Sequence, residues 1–293
     1  MLHFRNYQYA GNLFEGDFLL VRDFLLKLNN PTYSFGWWDH QMTRPSFRAE
    51  YLNRFGLWLR GERLVGIACV DENLGNGILS YTDSSLLDEM VSYAKEHLHD
   101  EGKMFLLIPD MDKAYQEAAA RAGFYPMQER DTESVIQIDV EKLRYTLPEG
   151  YRIVSMADHY DAAKIERITR RGFTEDRAER APSLIELDAI DRWLCRPYID
   201  LDLHVAVIAP DETFAAFCGM WRTAECPMAF VEPVVTDPDY QMKGLGRAIV
   251  YEALSRCGKL GATSAVVFST KQFYFSIGFR PNTTSTWWKL KNG

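Results

Sequence analysis

Short apolar runs and amphipathic helical stretches alternate along this chain, and one succession of them occurs twice. Residues 104–108 form an apolar run of the length of a buried strand. A helical stretch over 113–122 follows and stops at Gly123-Phe124, and 134–139 reads as a further strand. In the second half, 265–268 reads as a strand, a short segment through Phe273-Tyr274 stops at Gly278-Phe279, and a last strand is expected near 286–290. Upstream, 57–67 predicts two antiparallel strands turning at 60–62, and 205–216 predicts the same hairpin. A long helix follows each hairpin, over 86–97 and over 245–257. In the latter, Leu245, Ile249, Ala253, Leu254 and Cys257 recur at helical spacing and give one apolar face, and Gly258 and Gly261 supply the stop.

Strand, helix, Gly-Phe, strand therefore appears twice, with repeat units the size of whole domains. The boundary falls at the Pro/Gly punctuation Leu147-Pro148-Glu149-Gly150, which divides the chain into domains 1–146 and 150–293. This punctuation is short, so the two halves are expected to pack closely. The total of 293 residues agrees with two domains, at roughly 100–200 residues each.

Composition narrows the chemistry. An apolar content of 47% and a charged content of 25% fit a globular protein. The net charge of −8 argues against nucleic acid as partner and suits a cationic substrate such as an amine. Cys69, Cys195, Cys218, Cys226 and Cys257 are scattered without C-x-x-C spacing and read as idle or buried thiols of a reducing compartment. The histidines include no H-E-x-x-H pair, so no metal site is expected. Arg5, Glu15 and Asp17 interrupt any apolar leader, and no run approaches the ~20 apolar residues of a membrane span. The expectation is a cytoplasmic protein with neither membrane nor nucleic-acid partner.

The informative stretch is 230–247. Val231, Val234 and Val235 are strand formers, and Pro233 breaks the ladder because it has no N–H to donate, so an irregular or splayed strand is expected. Asp237-Pro238-Asp239 is a turn, after which Gly244 and Gly246 open the long helix. Glycines at a helix start let backbone N–H groups approach an anion, and Lys243 and Arg247 add positive charge, so a phosphate or pyrophosphate is the natural guest. On the glycines alone, an ordinary tight turn stays open as the other reading. A dinucleotide fingerprint fails because position 249 is Ile, and no G-K-[ST] of a P-loop is present.

Gln241-Met-Lys-Gly244-Leu-Gly246 resembles the Q/R-x-x-G-x-G/A acetyl-CoA signature of GCN5-related N-acetyltransferases, the GNAT superfamily. Downstream, Phe273-Tyr274-Phe-Ser-Ile-Gly278-Phe279 resembles the F-Y-x-x-x-G-F element near the end of that fold, and order and spacing match over 151–290. The resemblance implies an α/β (α+β) class with two tandem GNAT-like domains, each a mixed, mostly antiparallel sheet flanked by helices. The first half resembles a degenerate copy. Where its glycine signature should lie, residues 80–89 carry no glycine and no basic residue, and Asp83, Asp88 and Glu89 would repel a pyrophosphate. One acetyl-CoA site per chain is expected, in the second domain.

The resemblance further implies direct acyl transfer from acetyl-CoA to a primary amine of a small molecule or peptide. The alternative is a non-catalytic acyl-CoA-binding regulatory or scaffold module. Backbone groups of Met242, Lys243, Gly244, Leu245, Gly246 and Arg247, with the Gln241 side chain, would hold pyrophosphate, and Val234, Val235 and Thr236 would pair with pantetheine. Tyr274 occupies the family's general-acid position and Glu232 is the first choice of base. The family's Asn after the fifth strand is missing, and Ser269 or Gln272 would replace it. Homodimers are common in the superfamily, so a homodimer is an open expectation.

Three further features invite a reading. Trp37-Trp38 lies in what reads as a long polar and aromatic loop, 31–48, of the kind that forms a lid or an interface. Trp287-Trp288 reads as core packing, one ring inward and the other at the surface or domain interface. Arg167, Arg170, Arg171, Arg177 and Arg180 read as a solvated helical face, with a role in binding an anion as the lesser alternative.

Overall fold

The computed structural model describes residues 1–9, 11–28, 33–44 and 46–291. The first half runs β1 (Leu2–Asn6), α1 (Asp17–Leu28), α2 (Phe35–Thr43), β2 (Gly56–Arg60), β3 (Arg63–Val70), β4 (Asn76–Tyr81), α3 (Leu87–His97), β5 (Phe105–Pro109), α4 (Lys113–Arg121) and β6 (Phe124–Gln137). The second runs β7 (Arg152–Ser155), α5 (Ala162–Phe173), α6 (Leu184–Leu194), β8 (Val205–Ile208), β9 (Phe214–Trp221), β10 (Met228–Thr236), α7 (Leu245–Lys259), β11 (Ser264–Val267), α8 (Gln272–Ser276) and β12 (Arg280–Leu290). The α/β class and the repeated order of elements agree with the sequence pattern.

The strands form one continuous sheet in the order β1-β2-β3-β4-β5-β12-β6-β11-β10-β9-β8-β7. Among the described residues only β4 with β5 and β10 with β11 pair in parallel. The last strand of each half completes the sheet of the other: β12 pairs with β5, β6 pairs with β11, and β6 and β12 pair with each other at the centre. Side chains follow the exchange. Trp288 and Leu290 of β12 pack on the core of the first half, and Ile136 of β6 joins the core of the second. Double pairing also makes β6 and β12 longer than their expected spans of 134–139 and 286–290.

Trp288 thus faces core, while the Trp287 indole donates to Asp131 Oδ2 at 2.8 Å on the other side of the strand. The expected loop over 31–48 is corrected in its middle, where Phe35–Thr43 form helix α2. Ser34 N-caps α2, accepting from the Trp37 N–H at 3.4 Å, and residues 31, 32 and 45 lie outside the described residues. Among the described residues no helix is long and apolar enough to cross a membrane, and no group of His, Cys, Asp and Glu could hold a metal.

Candidate active site

The site forms where β10 leaves its neighbours. Its parallel pairing with β11 ends at Phe230↔Val266. Its antiparallel pairing with β9 shifts register between Val231↔Met220 and Val234↔Cys218, so Glu232 and Pro233 stand opposite Gly219 alone. A Cβ on Gly219 would sit 2.7 Å from the Glu232 carbonyl oxygen and 2.8 Å from the His204 ring, so the bulge needs glycine there. Trp221 Nε1 donates to that same carbonyl at 2.8 Å and fixes the bulge from the side. Beyond it, Val234, Val235 and Thr236 present a strand edge from which β11 has departed.

The chain then turns. Asp237 accepts from the Asp239 N–H at 3.0 Å and closes the turn 238–240, which leads directly into Gln241. Met242 at φ +61° and Gly244 at φ +77° carry the backbone through left-handed conformations into α7. Gly244 is the N-cap of α7, and no side chain caps the helix, so its first N–H groups are left for a ligand. Gly246 is tightly surrounded. A Cβ there would meet Phe273 at 3.1 Å and Thr236 Oγ1 at 3.3 Å.

A cavity of about 690 Å³ runs along these elements. Of the expected cofactor residues, Val234, Val235, Thr236, Gln241, Met242, Gly244, Leu245, Gly246 and Arg247 line it, and so does Tyr274 of α8. Lys243 is not among the lining residues; its Nζ lies 4.9 Å from the Tyr240 ring centre. Ser269 and Gln272 are also off the lining, and Ser269 instead accepts from the Ser134 hydroxyl at 2.8 Å through its carbonyl. Gly172, Phe173, Tyr240 and Lys271 line the cavity without a sequence signal, and so do Phe273, Ser276 and Ile277 of the 273–279 element, for which no cofactor contact was expected.

Glu232 stands in the bulge, two residues before Val234 of the lining, and does not itself line the cavity. Burial pushes its carboxyl up to about 7, against the opposing pull of Arg44 and Lys271. Tyr274 is 8% exposed, and its hydroxyl is pushed well above its ordinary value by burial first and then by the charge of Glu232. The two groups are therefore near enough to sense each other, one on the strand and one on the short helix across the splay.

Residues 202–281 match the acetyltransferase (GNAT) domain family. This part of the chain is a GNAT acetyltransferase domain. A search of curated proteins finds no match. Among solved structures, a tandem GNAT protein from the clavulanic acid biosynthesis pathway, in a structure without AcCoA, aligns over 100% of this chain and 99% of its own, at 13% identity and a TM-score of 0.64. A GCN5-related N-acetyltransferase from Sphaerobacter thermophilus aligns over 98% and 95%, at 12% identity and a TM-score of 0.59. A GNAT-family acetyltransferase from Colwellia psychrerythraea aligns over 99% and 100%, at 11% identity and a TM-score of 0.57. At such identities the likeness carries the fold, and that fold is a tandem GNAT fold over the whole chain.

The corresponding region of the first half is built differently from the site of the second. The β3–β4 ladder continues to Gly66↔Tyr81 without a bulge. Asp83 takes the Ser85 N–H at 3.0 Å and pairs with Arg60, so a carboxylate stands at the turn before the helix. Tyr81 packs edge-on against Tyr115 of α4 at 6.3 Å and bonds to Asp112.

The first half nevertheless reaches the second half's site. Its helix α2 packs on β10 so closely that a Cβ on Gly36 would lie 2.5 Å from Phe230 Cβ. The Trp37 ring sits 5.7 Å from Phe230 of β10 and 5.1 Å from Phe268, the residue that follows β11. Arg44, which ends α2 and acts on Glu232, is held by Glu72 at 3.0 Å.

The expected solvated arginine face is corrected. The Arg170 and Arg171 side chains are 8% and 4% exposed and are paired with Glu166 and Asp237. Arg177 and Arg180 lie beyond the end of α5. None of the five arginines lines the cavity.

Proposed function

We propose that the chain is an acyl-CoA-dependent N-acyltransferase that transfers acetyl from acetyl-CoA to a primary amine of a small molecule or peptide by direct attack. The observation that carries this reading is one continuous cavity. It joins the uncapped glycine turn of α7 to Tyr274, at the point where β10 and β11 part next to Glu232.

The residues present suit acetyl-CoA. The first N–H groups of α7, together with the helix dipole, bind an anion, and Gln241 and Arg247 flank them. The edge of Val234–Val235–Thr236 offers backbone groups to the amides of pantetheine. The donor supplies an activated thioester carbonyl. The chain's own part is to hold it, to deprotonate the acceptor ammonium and to protonate the departing sulfur. A carboxyl held at about 7 is suited to the first proton transfer near neutral pH. Tyr274, kept protonated by its surroundings, is suited to the second. In the first half the unbulged β4 and the Asp83 carboxylate at the turn before the helix support one donor site per chain.

The test is amine-dependent release of CoA from acetyl-CoA across a panel of primary amines. Release that requires both the amine and Tyr274 supports transfer. Tight donor binding with no transfer to any amine would favour a binding module instead.

A further inference from the structure

Helix α5 ends at the cofactor cavity. Gly172 and Phe173 line it, and a Cβ on Gly172 would fall 1.9 Å from Val235 Cγ2, so helix and splayed strand are in closest contact there. The preceding residue, Arg171, is buried and reaches the turn that follows the strand. Its Nε donates to Asp237 Oδ2 at 2.8 Å, and its Nη2 donates to Asp237 Oδ1 at 3.3 Å and to Asp239 Oδ2 at 2.5 Å. Arg167, one helical turn earlier, donates from Nη1 to Asp237 Oδ2 at 2.8 Å. On its remaining side Arg171 donates from Nη1 to the Arg177 carbonyl at 2.6 Å and lies 3.0 Å from Glu179.

Asp237 is fully buried. A buried carboxylate is strongly unfavourable unless it is paired and hydrogen-bonded. Here the donors come from one helix and from the turn itself, so the turn is stable in one position relative to α5. Asp237 and Asp239 both precede the anion-binding backbone by only a few residues. The N–H groups of such a site act only if held within about 0.5 Å of their productive geometry. A guanidinium can engage two carboxylates and a carbonyl at once in a fixed plane, which an ammonium cannot reproduce.

We propose that Arg171 is a positioning residue for the donor's pyrophosphate. It lies off the cavity lining and acts through Asp237 and Asp239, fixing the 237–244 turn against α5. Its loss is felt by donors that carry the nucleotide and spared by donors that lack it. This rests on the cofactor reading above.

The experiment compares wild type, Arg171→Gln, Arg171→Lys and Asp237→Asn, measuring CoA binding by calorimetry and turnover with acetyl-CoA and with acetyl-pantetheine. Arg171→Gln is expected to weaken CoA binding at least tenfold and to raise KM for acetyl-CoA correspondingly. Its kcat should stay within twofold, and its kcat/KM for acetyl-pantetheine should be unchanged. Arg171→Lys should recover part of the binding, and Asp237→Asn should reproduce the loss. Wild-type CoA affinity in a folded Arg171→Gln overturns the proposal. Equal losses with both donors together with a lowered melting temperature also overturn it, since they mark a merely structural residue. Failure of wild type itself to bind CoA would instead remove the cofactor reading, and with it the role of Arg171.

Discussion

The Thr132 and Thr284 hydroxyls meet at 3.0 Å across the centre of the sheet, although 152 residues separate them in sequence. They lie on β6 and β12, the two strands that the halves exchange. Neither half closes its sheet with its own last strand, so the halves should unfold together. Residues 1–146 expressed alone should lack a cooperative thermal transition by circular dichroism. In the full chain, Trp288→Ala should lower stability by about 3 kcal/mol, the low end for a tryptophan because Trp288 is only half-buried, and keep a single transition in urea. Two separate transitions would mean that the exchange does not couple the halves.

Glu232 gives a pH dependence with a definite sign. Its carboxyl is raised from 4.5 to about 7 in the folded chain. The protonated form is therefore favoured by folding. Its stabilising contribution is full below pH 4.5 and fades as pH rises through 7. Glu232→Gln should gain melting temperature relative to wild type on going from pH 5 to pH 8. In catalysis the order is reversed, because the base works ionised. Wild-type kcat/KM for the amine should rise with pH along a limb near 7, and Glu232→Gln should abolish that limb. An unchanged pH–rate profile in the variant would remove Glu232 from the proton path.

Tyr274→Phe removes one hydroxyl from a side chain that otherwise packs between Phe273 and Phe279. The expected outcome is a fall in kcat on the order of 10²-fold with acetyl-CoA affinity little changed. Lost affinity with normal turnover would assign the ring a packing role.

Gly36 tests the contribution of the first half. A side chain there must displace Phe230, two residues before Glu232. Gly36→Val should therefore impair acceptor use more than donor binding, which is read from KM for the amine against the calorimetric affinity for CoA. A pure loss of donor binding would show that α2 does not shape the acceptor side.

The parts legible in the sequence were those set by neighbours along the chain. The glycines at 244 and 246, the strand-breaking Pro233 and the apolar face of α7 each follow from local spacing, and their placement gives most of the cavity lining. The exchange of β6 and β12 was not legible, because alternation of side chains in a strand does not say which edge it joins. Helix α2 was hidden by its burial on several sides. Asp39, His40 and Gln41 are buried together with Phe35, Trp38 and Met42, which erases the apolar stripe, and the Ser34 cap was the remaining local signal. Arg171 read as solvated because its partner Asp237 lies 66 residues downstream.

The most direct measurement is calorimetric titration of acetyl-CoA into wild type and into a Gly244→Glu, Gly246→Glu double variant. A carboxylate at the start of α7 would repel phosphate, and a side chain at 246 would press on Phe273 and Thr236. One site per chain in wild type, abolished in a folded variant, is the predicted result. Two sites, or undiminished binding in the variant, would place the donor elsewhere and contradict the proposed site.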